Sequence, residues 1–276
     1  MKLSFSTLGC PNWSFDQVLQ NGQAYGFDGV VFRALGGEID LTKVPEFAPS
    51  ERIRTRRRMA DANLTPNMMA TSARMMVADP EALEASQRLA EAHIDLAADL
   101  GSPSIRVFGG QITPGVSHAA VIHRAAERLR RLGDHAAKCG VLVLLETHDD
   151  FVNPGFVRRV MEATDHPAVG VLWDIGEQFR IIGRPADDVW RDLGPWVKAC
   201  DLKDSIADFS TPMGYRFVKT GEGELPLRDT LKLLVDHGYH GWLTLEWEKR
   251  WQPDIAEPEE VFPHYVRTVR DVLARL

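Results

Sequence analysis

Four stretches of the chain share one pattern: a short, largely apolar run that ends abruptly in a carboxylate. Leu142–Leu145 runs into Glu146, Thr147 and His148, Val169–Trp173 ends at Asp174, VKAC ends at Asp201 with Asp204 beyond it, and Trp242–Leu245 ends at Glu246. Apolar runs of this length predict strands buried on both faces, as in a parallel sheet. In parallel α/β folds ligands sit at the carboxyl ends of the strands. The pattern therefore predicts that these acids are delivered to one rim.

The rest of the chain repeats the rhythm. Leu3–Ser6 alternates as a short strand and breaks at Gly9-Cys10-Pro11, and Ser14 with Gln17 has the spacing of a capping box that opens a helix reaching Gly26. Val30–Phe32 is a second strand ending at Arg33, residues 36–49 read as an irregular loop, and Ser50 caps a helix reaching Asn63. Met68–Ala70 is a third strand, and Asp79-Pro80-Glu81 opens a helix that runs to Gly101. Ile105–Phe108 is a fourth strand, closed by Gly109-Gly110, and Ser117 caps a long helix that stops at Cys139-Gly140. Asn153-Pro154, Pro185, Leu227 and Pro258 begin the helices that follow the four acid-terminated strands. Strands and helices alternating at intervals of roughly thirty residues predict a parallel sheet, and eight such units close into a (β/α)8 TIM barrel. No linker, charge block or low-complexity segment divides the chain, so residues 1–276 are read as a single barrel domain.

Composition adds exclusions. A formal net charge of −7 argues against a nucleic-acid partner held by bulk electrostatics. No window approaches the ~20 apolar residues of a membrane span, and no secretory signal is read at the N-terminus. Cys10, Cys139 and Cys200 are widely spaced and odd in number, which fits a reduced, cytoplasmic protein.

Carboxylates gathered at one mouth repel one another unless something neutralises them. Each acid could pair with a Lys or Arg, for which Arg33, Lys203, Arg216 and Lys249 are the candidates. A divalent metal is the economical alternative for all four together, and an oxygen-rich donor set favours Mn²⁺ or Mg²⁺ over Co²⁺ or Zn²⁺.

LLETHD, VLWD, VKACDLKDS with TGEGELPL, and HGYHGWLTLEWE carry a resemblance that spans nearly the whole chain. They resemble the sugar phosphate isomerase/epimerase group of the xylose isomerase-like barrels, in the AP endonuclease family 2 superfamily, which also holds ketose 3-epimerases, inosose dehydratases and, more distantly, endonuclease IV. The resemblance implies that Glu146, Asp174, Asp201 and Glu246 hold the metal, with Glu146 and Glu246 as the acid/base pair. The family's usual His-Leu-Lys-Asp is here Asp201-Leu202-Lys203-Asp204, and Glu177 stands where a substrate-binding His is common. Both departures make the mouth harder and more negative. Arg33, His148, Glu177, Lys203 and Arg216 are the candidate substrate-binding residues, with His148 the alternative nitrogen ligand if Asp201 does not coordinate, and with Lys203 and Asp204 ranked behind the ligands as a supporting pair. Trp13, Trp247 and Trp251 are candidates for covering the mouth.

The expected reaction is abstraction of a proton next to a carbonyl, giving an enediolate that returns as an epimer or isomer, or loses a β-hydroxyl as a dehydrated product. The substrate is expected to be a small carbohydrate: a sugar, sugar acid or cyclitol. TGEGE carries two acids, which disfavours a phosphate cradle. The readings are thus an isomerase or epimerase, a dehydratase on the same site, and, against the charge and histidine pattern, an endonuclease IV-like phosphodiesterase. A homo-oligomer is left open.

Overall fold

The computed structural model describes all 276 residues. Strands β1 (Lys2–Ser6), β2 (Gly29–Phe32), β3 (Thr65–Met76), β4 (Ser104–Gly110), β5 (Leu142–Glu146), β6 (Val169–Asp174), β7 (Val197–Leu202) and β10 (Trp242–Leu245) are all parallel. They close into one barrel in the order β1-β10-β7-β6-β5-β4-β3-β2. Around it stand α1 (Phe15–Tyr25), α2 (Arg52–Asp61), α3 (Pro80–Leu100), α4 (His118–Cys139), α5 (Pro154–Thr164), α6 (Ile175–Ile182), α7 (Ala186–Leu193), α8 (Leu227–Asp236) and α9 (Pro258–Leu273). A separate antiparallel hairpin, β8 (Asp204–Ala207) with β9 (Tyr215–Val218), rises after β7. No helix is long and apolar enough to cross a membrane.

Side-chain alternation along each strand sorts residues into two cores. Positions facing the helices, such as Val143, Leu145, Val171, Trp173, Cys200, Leu243 and Leu245, join a buried shell of 66 residues. Positions facing the axis are few: Val31, Met68, Ala70, Leu144, Leu172 and Ala199 form the apolar plug. Two residues further along the same inward rows come Arg33, Ser72, Glu146, Asp174 and Asp201. One strand register thus sets both the plug and the chemistry above it.

The N-terminal caps follow the sequence at α1, α3, α4 and α5, where Ser14, Asp79, Ser117 and Asn153 each accept a backbone N–H from the first turn. Several features differ from expectation. The cap of α2 is Glu51, not Ser50, and the 36–49 loop holds two short 3-10 turns. β3 runs past Ala70 to Met76 through a register shift, held where Thr71 Oγ1 donates to the Arg106 carbonyl and accepts from Ala73 N. β4 includes Gly109-Gly110, because Gly110 pairs with Met76 of the lengthened β3, and Gly109 leaves the room that the Phe151 ring fills. Finally, α6 begins directly at Asp174, ahead of the helix expected from Pro185. Gly176 in its first turn makes that possible, since a Cβ there would lie 2.6 Å from the Lys203 backbone oxygen.

Candidate active site

Three of the strand-end carboxylates converge. Ligand oxygens of Glu146, Asp201 and Glu246 all lie within 4.8 Å of one another, and all three residues are buried. Glu146 closes β5, Asp201 sits inward on β7 opposite Thr244 of β10, and Glu246 follows β10. Glu146 and Glu246 stand in the floor of a cavity of about 400 Å³ whose wall includes Arg33, Arg74, Arg106, Phe108, His148, Glu248 and Trp251, and Asp201 lies buried against them.

Two buried cations hold this floor together. Arg106 Nε lies 2.9 Å from Glu146 Oε2, its Nη1 donates to the Thr71 carbonyl at 2.9 Å, and its guanidinium stacks on Phe108, 3.8 Å from the ring centre. Lys203 Nζ donates to Glu246 Oε2 at 2.8 Å and Glu248 Oε1 at 2.9 Å, and lies 2.9 Å from Asp174 Oδ2. Burial opposes the Lys203 charge, but Asp174, Glu246 and Glu248 outweigh it and hold the ammonium well above its ordinary range. Each glutamate therefore meets a cation through Oε2, Glu246 by a hydrogen bond from Lys203 and Glu146 by charge proximity to Arg106 without a hydrogen bond, and neither Oε1 is paired with a cation.

The same fields push the acids apart. Burial raises Glu146 despite Arg106, whereas Lys203 more than offsets burial at Glu246 and lowers it. Asp201 is the extreme: burial, then Glu246, Glu146 and Asp174, drive it well above the carboxylate range, and its Oδ1 is buried without a hydrogen-bond partner.

Asp174, expected as a fourth ligand, stands outside the group whose oxygens lie within 4.8 Å of one another. Its Oδ1 caps α6 by accepting from Glu177 N at 2.9 Å, its Oδ2 faces Lys203, and its own N–H donates to Thr147 Oγ1. Lys203, proposed from sequence as a substrate contact, is 4% exposed and fully engaged with acids. Arg216 is corrected more sharply. It lies on β9, more than half exposed, 3.6 Å from Asp208, and does not line the mouth. Lys249 bonds the Pro253 and Ile255 carbonyls and Glu257 instead of the strand-end acids.

The other candidates face the cavity or its edge. Arg33 Nη2 donates to Ser72 Oγ at 2.9 Å, and its buried Nη1 has no partner. His148 Nδ1 is 3.0 Å from Asp149 Oδ1 and its Nε2 is 3.5 Å from Glu177 Oε1. Burial opposes protonation of this ring, but Asp149, Glu146 and Glu177 raise it to about 9. Burial and Asp174 raise Glu177 to about 7. Of the tryptophans only Trp251 lines the mouth. Trp13 packs on Phe5 and Phe262 behind the barrel, and Trp247 donates to the Ala256 carbonyl.

Sequence reasoning missed Arg106 and Glu248. The usable signal for Arg106 was an arginine inside an apolar strand, on the inward row that ends at Phe108. For Glu248 it was the two-residue step from Glu246. The TGEGE loop is also explained: the Gly221, Gly223 and Leu225 amides, with that of Ser205, all donate to the Asp204 carboxylate at 2.8–3.1 Å. The backbone amides from Gly221 to Glu224 are thus already paired within the chain.

The floor fits a hard divalent cation. Its donors are carboxylate oxygens, and the unpartnered Asp201 Oδ1 is the kind of buried acceptor that a cation satisfies.

Comparison with known proteins agrees with this architecture. The chain is 22% identical over 263 residues to fructoselysine 3-epimerase of Shigella flexneri, covering 89% of this chain and 90% of the relative. It is 26% identical over 151 residues to inosose dehydratase of Bacillus licheniformis, there spanning 50% of this chain and about half, 49%, of the relative. A solved xylose isomerase-like TIM barrel protein from Mycobacterium smegmatis, in complex with magnesium, superposes with a TM-score of 0.74 at 21% identity, covering 99% of this chain and 97% of that one. The family model for the xylose isomerase-like TIM barrel matches residues 19–271. With its closed eight-stranded barrel and the acid-terminated strands that line its mouth, the chain belongs to the xylose isomerase-like TIM barrel family.

Proposed function

We propose that this protein is a divalent-metal-dependent epimerase or isomerase of a small sugar, sugar acid or cyclitol. The observation that carries the reading is the pair Glu146 and Glu246: each meets a buried cation through Oε2, both line the cavity, and Asp201 lies within 4.8 Å of both. Glu146, Asp201 and Glu246 would hold the cation, and Mn²⁺ or Mg²⁺ suits their oxygens best; when bound it would stabilise negative charge developing on a substrate oxygen. The magnesium in the Mycobacterium smegmatis barrel supports that choice of metal class.

The chain's own groups supply the proton traffic. Lys203 keeps Glu246 ionised, suited to accept a proton from the carbon beside a carbonyl. Burial gives Glu146 the higher proton affinity, suited to deliver one from the other side. Arg33, through its free Nη1, would bind a substrate hydroxyl or carboxylate, and Trp251 would cover one sugar face. Asp174 and Lys203 orient Glu246 and do not themselves meet substrate.

A dehydratase is the second reading, favoured by the His148–Glu177 pair at the mouth. A proton held there could pass to a departing β-hydroxyl, which an epimerase does not need. The inosose dehydratase relative belongs to that class.

The test is solvent exchange. Protein loaded with Mn²⁺ or Mg²⁺ is incubated in D₂O with ketoses, keto-sugar acids and inososes, and carbon-bound protons are followed by NMR. Washout identifies the abstraction step, and the product separates epimer, isomer and dehydrated ketone. Glu146→Gln and Glu246→Gln are each expected to lower exchange by about 10³-fold while preserving the fold. Exchange that survives either change, or none across the panel with metal bound, overturns the assignment.

A further inference from the structure

A second cluster of metal-ligating side chains lies on the outside of the barrel. Asp95 is on α3, and His135 and Cys139 are four residues apart on α4, hence on one face of that helix. His135 Nε2 is 2.7 Å and Cys139 Sγ 3.9 Å from the same oxygen, Asp95 Oδ1. One potential ligand atom from each residue lies within 4.8 Å of the others. All three sit toward the carboxyl-terminal ends of their helices, which places them at the end of the barrel away from the mouth. Asp99, one turn along α3, is paired with Arg52 at 2.5 Å.

We propose that Asp95, His135 and Cys139 form a second metal site that clips α3 to α4 and takes a borderline-soft divalent cation of the Zn²⁺ class. The donor set is what distinguishes it from the mouth. One thiolate, one imidazole and one carboxylate match the ligands of zinc, with water completing a tetrahedron, whereas an all-oxygen set suits Mg²⁺ or Mn²⁺. Two ligands at i and i+4 on one helix are the spacing by which a single helix face grips such an ion. Without metal, burial and the Asp95 carboxylate hold the Cys139 thiol above its ordinary range, so binding transfers that proton to solvent as the sulfur–metal bond forms. The Asp95–His135 contact then changes from a direct pair to two ligands sharing one ion. This proposal does not depend on the reaction assigned to the mouth.

Co²⁺ is the probe, because a cobalt–thiolate bond gives a near-ultraviolet charge-transfer band that oxygen ligands do not. The mouth triad has no sulfur, and Cys10 and Cys200 are buried. Titration of the metal-free full-length protein should produce the band, with a final amplitude of one cobalt–thiolate centre per chain, and should protect one thiol from an aromatic disulfide reagent. Cys139→Ser should abolish both signals. His135→Ala and Asp95→Asn should raise half-saturation by on the order of tenfold or more. These side chains are half-buried or exposed, so circular dichroism should be unchanged in all three variants. No band at saturating Co²⁺, the same band in Cys139→Ser, or a titration unaffected by His135→Ala would overturn the proposal.

Discussion

Asp201 is the residue whose role is most open to measurement. As a buried carboxylate with an unpartnered oxygen among three other acids, it costs stability in the metal-free protein. Asp201→Asn should therefore raise metal-free stability, by on the order of 1 kcal/mol in denaturant unfolding, while weakening metal binding. Unchanged stability together with unchanged metal affinity would remove Asp201 from the floor. Asp201→His should keep a metal site but shift its preference toward softer ions. Lys203→Met runs the other way. It strands Asp174, Glu246 and Glu248 without their shared cation, and loss of one partner from a buried ion pair costs about 3–5 kcal/mol. A variant as stable as the parent would show that these acids are neutral or hydrated instead. At this scale the sequence identified which side chains carry charge, but not which charge meets which. Lys203 and Arg216 looked alike as candidate partners, and one is enclosed by acids while the other lies on an exposed hairpin.

The element that most shapes the mouth is the segment after β7. Asp204 gathers four backbone amides, from Ser205 to Leu225, and so fastens the foot of the β8–β9 hairpin and the glycine loop to the barrel. Gly223 is required by that closeness, since a Cβ there would overlap the Asp204 carboxylate. Amides bonded to an ionised group contribute more than neutral pairs, so Asp204→Ala should destabilise by ~3 kcal/mol or more. It should also accelerate hydrogen exchange at Gly221 and Gly223, with partial rescue by Asn. Exchange unchanged at those glycines would show that the loop is held by other contacts. The hairpin was invisible in the sequence because Asp204–Ala207 and Tyr215–Val218 are short and the polar stretch between them reads as loop. The helix α6 was hidden for a related reason: its cap, Asp174, looked like a strand-end ligand, and one carboxylate cannot signal both roles in a one-dimensional pattern.

At the scale of the whole molecule, metal binding and stability are linked. An ion that binds only the folded chain at a hundred times its dissociation constant adds about 2.7 kcal/mol. For a chain of this size that is a rise in melting temperature of roughly 5 °C. Excess Mn²⁺ or Mg²⁺ should give such a rise, chelator should reverse it, and the Glu146→Gln/Glu246→Gln double variant should lose it. A rise that persists in the double variant would place the ion elsewhere. The outward Asp95 cluster makes the control necessary, and its thiol gives it a separate spectroscopic signature.

The apolar runs, the helix caps and the recurring acid at strand ends determined the barrel, because burial on both faces and backbone capping are local requirements that residue order satisfies directly. They also placed Glu146, Asp201 and Glu246 at the carboxyl ends of their strands. Only the closed barrel decided that these three meet, that Asp174 turns to cap α6 and face Lys203, and that Arg106 rather than Arg216 answers Glu146. The physical reason is register. Inward and outward rows alternate residue by residue, and which rows face one another across the axis depends on how eight strands shift past each other when the sheet closes.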